Sequence, residues 1–189
     1  MSQETEQEDI KKKILSTGIR VGTEVKTKFM IPYIVQSSPE GLYLFDLDIT
    51  LSRIQTAAKF IKKFDVNKVI VYSGRVYAST PIEKFCELTG AKKMLGRFMP
   101  GTLTNPLLPY YLEPHLIIIS DPQVDDQAVT EASNAGIPVI GIANTDNVTS
   151  KLDLVIPANN RGRKALATVY WLLAHEILQD SKTMKYEIE

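Results

Sequence analysis

The run from Gly96 to Pro106 has the composition of a binding loop. Its two glycines and two prolines favour an irregular backbone path. Its polar groups are one guanidinium, two threonine hydroxyls and one amide, and none of these is a general base near pH 7. Such groups hydrogen-bond phosphates, sugars and base edges, so the run predicts a contact with nucleic acid rather than a reaction centre.

A second set of residues has the chemistry of phosphoryl transfer. Asp46 and Asp48 follow one apolar run, and Asp121 and Asp125 follow a later one. This order is similar to haloacid-dehalogenase-type phosphatases, in which carboxylates attack phosphorus, act as acid and base, and hold magnesium. Here, however, the chain passes from the second aspartate straight into an amphipathic segment, leaving no flap, and the later aspartates can serve to start a helix. A magnesium-dependent phosphatase is the alternative hypothesis.

The elements that must position these residues alternate between apolar strands and amphipathic helices. Short apolar runs predict strands at 42–45, 69–72, 116–119, 137–142 and 154–156. Apolar residues at helical spacing predict helices at 50–64, 80–89, 121–135 and 162–179, with N-caps at Thr80 and Asp121 and glycine stops at 90 and 136. Strands that are apolar throughout indicate a parallel sheet covered on both faces, so the predicted fold class is α/β.

Length and composition limit the class of protein further. The chain has 189 residues with 44% hydrophobic content, which is enough for one packed domain. We interpret 1–17 as a flexible N-terminal arm or short helix, 18–180 as a single domain and 181–189 as a C-terminal tail. The acidic N-terminus does not resemble a secretory signal, no apolar run approaches the ~20 residues of a membrane span, and a single cysteine cannot form an internal disulfide. A cytoplasmic location without a membrane partner is expected.

Charge is segregated along the chain although the net charge is zero. Residues 11–97 carry sixteen Lys or Arg against seven Asp or Glu, whereas 98–150 contain six acids and no Lys or Arg. This distribution predicts a basic side for phosphates and an acidic side for solvent or basic partner proteins. The alternative is that folding intermixes the segments.

The segments between Ile19 and Leu178 resemble the small-subunit ribosomal protein S-two family, whose eukaryotic member is called SA or the laminin receptor precursor. The matching positions are 22–34, 96–106, 120–122, 131–133, 136–139, 144–146, 156–160 and 171–176. The resemblance implies a flavodoxin-like three-layer αβα domain with a mostly parallel central sheet. It also implies a non-catalytic structural constituent of the small ribosomal subunit that binds small-subunit rRNA and neighbouring ribosomal proteins, with no cofactor, metal or small-molecule substrate.

The pattern of additions is typical of archaeal members. Bacterial members carry an inserted helical hairpin, whereas here 51–64 pass directly to the next strand. Eukaryotic members extend into a long acidic, Trp-rich tail, which is not found after Glu189. An archaeal-type protein is therefore expected.

The resemblance and the loop chemistry together predict the rRNA-binding residues. Cations neutralise phosphates, and the start of the last helix is expected to add free backbone N–H groups. The predicted contacts are Lys26, Lys28, Arg75, Lys92, Lys93, Arg97, Thr102, Thr104, Asn105, Arg161, Arg163 and Lys164. The alternative for each cation is a solvated surface charge. Arg53 and Lys59 to Lys63 are left out because an exposed helix face accounts for them.

Overall fold

The computed structural model describes residues 11–178, in which helices and strands alternate over most of the length. The helices are α1 (11–16), α2 (Leu47–Ile61), α3 (Ser79–Thr89), α4 (Asp126–Asn134) and α5 (Arg163–Leu178). The strands are β1 (Ile34–Ser37), β2 (Tyr43–Phe45), β3 (Val69–Ser73), β4 (Lys92–Leu95), β5 (Leu116–Ile119), β6 (Val139–Ala143) and β7 (Leu154–Pro157). Short 3-10 helices lie at Ile31–Tyr33, Val66–Lys68 and Val76–Ala78.

Strands β3 to β7 form one parallel sheet in the order β4-β3-β5-β6-β7. The chain leaves β3 for β4 on one side and then returns to β5 on the other side of β3. The carboxyl ends of β3 and β5 therefore flank a topological switch point, where open α/β sheets commonly place their ligands. This order is that of a flavodoxin-like domain.

Two apolar cores lie on opposite faces of this sheet. Helices α2, α3 and α5 cover one face and pack on Val71, Ile118 and Ile142, whereas α4 and the irregular segment after β4 cover the other face. Every residue of β3, β5 and β6 is buried, because these strands lie between the two layers. The three-layer αβα fold is confirmed. The basic part of the chain supplies two helices of the first face, and the part without Lys or Arg covers the second.

Helix starts differ from the prediction in three places. Helix α2 begins at Leu47, earlier than the predicted start at residue 50, and Asp46 caps it, since its carboxylate accepts from the backbone N–H groups of Asp48 (2.9 Å) and Ile49 (3.4 Å). Thr80 is not the cap of α3, because the preceding 3-10 turn runs directly into the helix and Ala78 takes that position. The glycine stop is confirmed at Gly90, which ends α3 with a left-handed φ of 84°.

The predicted N-cap at Asp121 is also wrong. Helix α4 begins at Asp126, and residues 121–125 form a separate turn in which Asp125 N–H donates to the Asp121 carbonyl at 3.0 Å. The Asp121 side chain accepts from Gln123 N–H within this turn. Both of its carboxylate oxygens also take part in tertiary contacts, which are described below.

Strands β1 and β4 were not predicted, and the predicted strand β2 lies outside the parallel sheet. Strand β4 is an edge strand with exposed Lys92 and Lys93, so its sequence lacks the apolar run of a central strand. Strands β1 and β2 form a separate antiparallel pair in which β1 is mostly exposed.

The ends of the chain are described only in part. Within 11–17, α1 buries Ile14 in the main core at 5% exposure, so this segment packs as part of the domain rather than as an arm. The rest of the predicted arm and the predicted tail at 181–189 lie outside the described residues. Between residues 11 and 178, no helix combines the length and apolar character needed to cross a membrane.

Candidate nucleic-acid interface

The 96–106 loop is fixed by two apolar side chains to the core on the α4 side of the sheet. Phe98 is 6% exposed and packs edge-to-face on Tyr72 with ring centroids 5.3 Å apart, and Leu103 is 3% exposed. The Tyr72 hydroxyl also donates to the Gly96 carbonyl at 3.0 Å. Gly101 has a φ of 88°, which an L side chain rarely adopts. The loop is therefore irregular but well anchored.

Glu131 of α4 supplies the main polar anchor of this loop. Its carboxylate accepts from the backbone N–H groups of Gly101 (2.8 Å) and Leu103 (3.3 Å) and from the Gln127 side chain (3.0 Å). Glu131 is only 7% exposed, so these donors satisfy a charge that has little access to water. Glu131 was part of the family resemblance but was not predicted as a site residue, since its partners lie about thirty positions away along the chain.

The anchored loop presents some predicted contacts and buries another. Arg97, Thr104 and Asn105 are exposed. Thr102 is 3% exposed and its hydroxyl donates to the Met99 carbonyl, so it is a structural residue and is left out of the proposed interface. Within residues 11–178 the Arg97 guanidinium takes part in no ion pair or hydrogen bond.

The switch point between β3 and β5 is occupied by an ion pair of the protein itself. Arg75 donates through Nε to Asp121 Oδ2 at 2.6 Å and makes a second contact through Nη2, and Asp121 is 1% exposed. Beside it, Gly74 N–H donates to Asp125 Oδ1 at 2.9 Å, and a Cβ at Gly74 would lie 2.8 Å from that oxygen. Arg75 therefore neutralises a buried carboxylate rather than pointing freely to solvent.

Asp125 is a buried carboxyl whose ionisation is disfavoured. Burial, with a smaller contribution from the negative charge of Asp121, raises its pKa to about 7. Its Oδ2 atom is buried without a hydrogen-bond partner among the described residues, which fits a carboxyl that is protonated at lower pH.

Two chain segments that carry predicted cations meet at Asn147, which is 1% exposed, and a third, with Arg75, is linked to it through Asp121. Its side-chain oxygen accepts from Asn144 N–H (2.5 Å) and Asn160 Nδ2 (3.0 Å), and its amide nitrogen makes a longer contact to Asp121 Oδ1 (3.4 Å). Its carbonyl accepts from the Thr27 hydroxyl at 2.9 Å. We call these contacts the Asn147 network. It connects the segments around Lys26, Arg75 and Arg161, a role that sequence reasoning missed.

The start of α5 carries cations but fewer free N–H groups than expected. Asn159 Oδ1 accepts from the backbone N–H groups of Arg161 (3.0 Å) and Gly162 (3.2 Å). Arg161 pairs through Nη2 with Asp146, and its side chain is 46% exposed. Arg163 lies over the Tyr77 ring, 4.5 Å from its centroid. Lys164 is exposed.

The remaining predicted lysines lie in two places. Lys26 lies over the Tyr43 ring at 4.6 Å from its centroid, and Lys28 is exposed in the same segment. Lys92 and Lys93 lie on the edge strand rather than in the loop after it, and Lys93 Nζ pairs with Glu83 at 3.0 Å. The structure thus brings most predicted cations to the carboxyl edge of the sheet. Lys92 and Lys93 lie instead along the outer strand β4.

The carboxylates of the phosphatase hypothesis do not form a common site. Asp46 caps α2 after a strand that belongs to the small antiparallel sheet, whereas Asp121 and Asp125 lie at the switch point of the parallel sheet. No group of three or more His, Cys, Asp or Glu side chains within 11–178 is arranged to hold a metal ion. The structure therefore gives this alternative no support.

The fold and the exposed cations at its carboxyl edge define a flavodoxin-like domain with a cationic surface. A family profile described as Ribosomal protein S2 matches residues 110–180. A Nitrosopumilus maritimus protein named small ribosomal subunit protein uS2 is 73% identical over 187 residues, which cover 99% of this chain and 90% of that protein. Proteins of the same name from Cenarchaeum symbiosum and Thermofilum pendens are 55% and 53% identical over 98% and 87% of this chain, and over 92% and 77% of their own lengths. The chain belongs to the uS2 family of small-subunit ribosomal proteins, and the predicted archaeal type is confirmed.

Proposed function

We propose that this protein is a non-catalytic structural constituent of the small ribosomal subunit that binds rRNA in the cytoplasm and contacts neighbouring ribosomal proteins. Phosphate contacts position it on folded rRNA, and the shape of the RNA supplies the specificity. Family membership supports the ribosomal assignment. The geometry that supports RNA binding is described next.

The observation that carries the proposal is the pre-organised exposure of Arg97. Its loop is held by Glu131 and by two buried apolar side chains, and none of these contacts uses the guanidinium. The backbone that carries Arg97 is therefore fixed before binding, so only the arginine side chain itself is ordered when it meets a phosphate. Thr104 and Asn105 add exposed polar groups to the same loop.

The carboxyl edge supplies a second set of contacts. Lys26, Lys28, Arg161, Arg163 and Lys164 are exposed there, and the Asn147 network holds their segments together. Arg75 is a weaker candidate because Asp121 already accepts its hydrogen bonds. Lys92 and Lys93 extend the surface along the edge strand.

Sedimentation with small ribosomal subunits tests the proposal. We expect wild-type protein to cosediment, and Arg97→Glu combined with Arg161→Glu to weaken association about tenfold or more, because two phosphate contacts become repulsive. The matched control for charge combines Lys59→Glu, on the exposed face of α2, with Lys63→Glu just after that helix. This double variant should leave cosedimentation unchanged. A protein that stayed free of subunits and hydrolysed a phosphomonoester, with loss of that activity in Asp46→Asn, would contradict the proposal.

A further inference from the structure

A groove of about 490 Å³ lies between α3 and α5, on the face of the sheet that α2, α3 and α5 cover. It follows α5 from Arg163 to Ala174, which is about 17 Å of helix at 1.5 Å per residue. Its apolar lining comes from both helices: Pro81, Phe85, Leu88, Ala167, Trp171 and Ala174. The groove is thus long enough for about three turns of a second helix.

Charge at the groove has one sign. Its charged lining residues are Lys84, Arg163 and Lys164, and no acidic side chain of the described chain lines it. Lys84 already pairs with Glu87 at 2.8 Å, so the positive charge is concentrated at the end of the groove where α5 begins. Tyr77 lies at this end, beneath the Arg163 guanidinium.

We propose that the α3–α5 groove receives a short amphipathic segment of a neighbouring small-subunit protein. Apolar side chains of that segment pack on the groove floor, and Asp or Glu side chains lie beside Arg163 and Lys164. This assigns these two cations to the protein segment, and leaves Lys26, Lys28 and Arg161 as the rRNA contacts of the carboxyl edge. The identity of the neighbour as a ribosomal protein rests on the proposed function. The charge complementarity and the apolar floor do not depend on it.

The chemistry of the lining favours a protein segment over RNA. Apart from its three cations and Tyr77 at one end, the groove has Thr80 as its main polar side chain, together with a Tyr170 hydroxyl already bonded to Ser120 at 2.7 Å. A base inserted over the apolar floor would lose water from its polar edge and find few partners there, at a cost of about 1–3 kcal/mol for each group left unpaired. Leucine-like side chains carry no such cost.

Site-specific photocrosslinking in assembled small subunits tests the occupant. A photoreactive phenylalanine derivative replaces Leu88, which is 38% exposed in the groove, or Val124, which is 54% exposed and precedes α4 on the opposite face. We expect the Leu88 probe to crosslink to one ribosomal protein, in a segment that combines apolar residues at helical spacing with acids, and the Val124 probe not to reach that segment. Crosslinks from Leu88 to rRNA alone, or to nothing, would overturn the proposal.

The single tryptophan, Trp171, gives an independent readout in the isolated full-length protein. The probes are an amphipathic Leu/Glu peptide of about twelve residues, the same peptide with Lys for Glu, and single-stranded oligouridine. We expect a blue shift of the emission only with the Glu peptide. The double variant Arg163→Glu and Lys164→Glu should weaken this binding about tenfold, or about 1.4 kcal/mol, while Lys59→Glu with Lys63→Glu should not. Equal binding of the Lys peptide, a shift with oligouridine alone, or no shift at all would overturn the proposal.

These measurements separate the two hypotheses. Failure of the wild-type protein to join subunits counts against the proposed function, and the fluorescence titration then decides the groove by itself. Normal cosedimentation together with a crosslink to rRNA from Leu88 leaves the proposed function intact and removes the groove proposal.

Discussion

The 96–106 loop and the carboxyl edge of the sheet hold their cations in different ways. In the loop, a buried acid binds backbone N–H groups, so Arg97 remains unpaired among the described residues. At the carboxyl edge, acids bind the cations themselves, as in the Arg75–Asp121 and Arg161–Asp146 pairs. An acid that fixes backbone leaves a cation available for a phosphate, whereas an acid that fixes a side chain must first be displaced. We therefore expect Arg97 to contribute more to RNA binding than Arg161.

The largest expected effect comes from removing the loop anchor. Glu131→Ala leaves the N–H groups of Gly101 and Leu103 without an acceptor in a site that water barely reaches, which should lower the free energy of unfolding by about 2–4 kcal/mol. Urea denaturation measures the loss, and amide hydrogen exchange should rise at those two residues. Asp126→Ala is the matched control, since it removes an exposed acid of the same helix and should cost less than about 1 kcal/mol. Equal losses in the two variants would show that Glu131 is not the anchor.

A pH-dependent effect distinguishes the carboxyl edge. The pKa of Asp125 is about 7 in the folded protein and near its ordinary 3.8 in the unfolded chain, so the folded state binds this proton more tightly. Its contribution to stability is therefore present at low pH and is lost as pH rises from about 4 to about 7. Asp125→Asn cannot ionise and keeps an oxygen to accept from Gly74 N–H.

The stability of Asp125→Asn should accordingly increase relative to wild type, by about 1–3 kcal/mol, between pH 5 and pH 8. Urea denaturation of both proteins at four pH values across this range gives the difference, in which the titration of all other groups cancels. Parallel stability curves for the two proteins would refute a raised pKa at this position.

The smallest expected effect compares the two arginines directly. Arg161→Ala removes a partly exposed ion pair with Asp146 and should cost about 0.2–1 kcal/mol of stability, whereas Arg97→Ala should change it by less than about 0.5 kcal/mol. In binding to small-subunit RNA the order reverses, and Arg97→Ala should lose more affinity than Arg161→Ala. The reason is that Arg161 must exchange the Asp146 carboxylate for a phosphate. Each loss of a phosphate contact should reduce the salt slope of binding by about 0.7–0.9. A larger binding loss for Arg161→Ala would overturn the ranking of the two regions.

Prediction from the sequence succeeded where local pattern and environment agree. The apolar runs of β3 and β5 could be recognised because both faces of these strands are buried. Strand β4 was missed because an edge strand with Lys92 and Lys93 has no such run. The N-cap at Asp121 was wrong for a related reason, since Arg75, in the turn that follows β3, binds the carboxylate that local pattern assigned to a helix start.

The candidate site could be predicted in its residue types but not in its pairings. The exposure of Arg97, Thr104 and Asn105 agrees with the prediction of a presented loop. The burial of Thr102 and the anchoring by Glu131 depend on contacts with α4, and no local signal marks them. The same holds for Asn147, whose partners Thr27, Asp121 and Asn160 come from three separate parts of the chain.

The sequence by itself determined the α/β class, the family and the segregation of charge, because these depend on residue type, order and spacing. The tertiary structure alone decided which cations are free, which carboxylates are used for capping or pairing, and where a groove opens between α3 and α5. The physical reason is that burial and hydrogen-bond partners are set by residues far apart in the chain. Arg97 and Arg161 are the same residue type in similar loops, and only their neighbours in space make one available and the other paired.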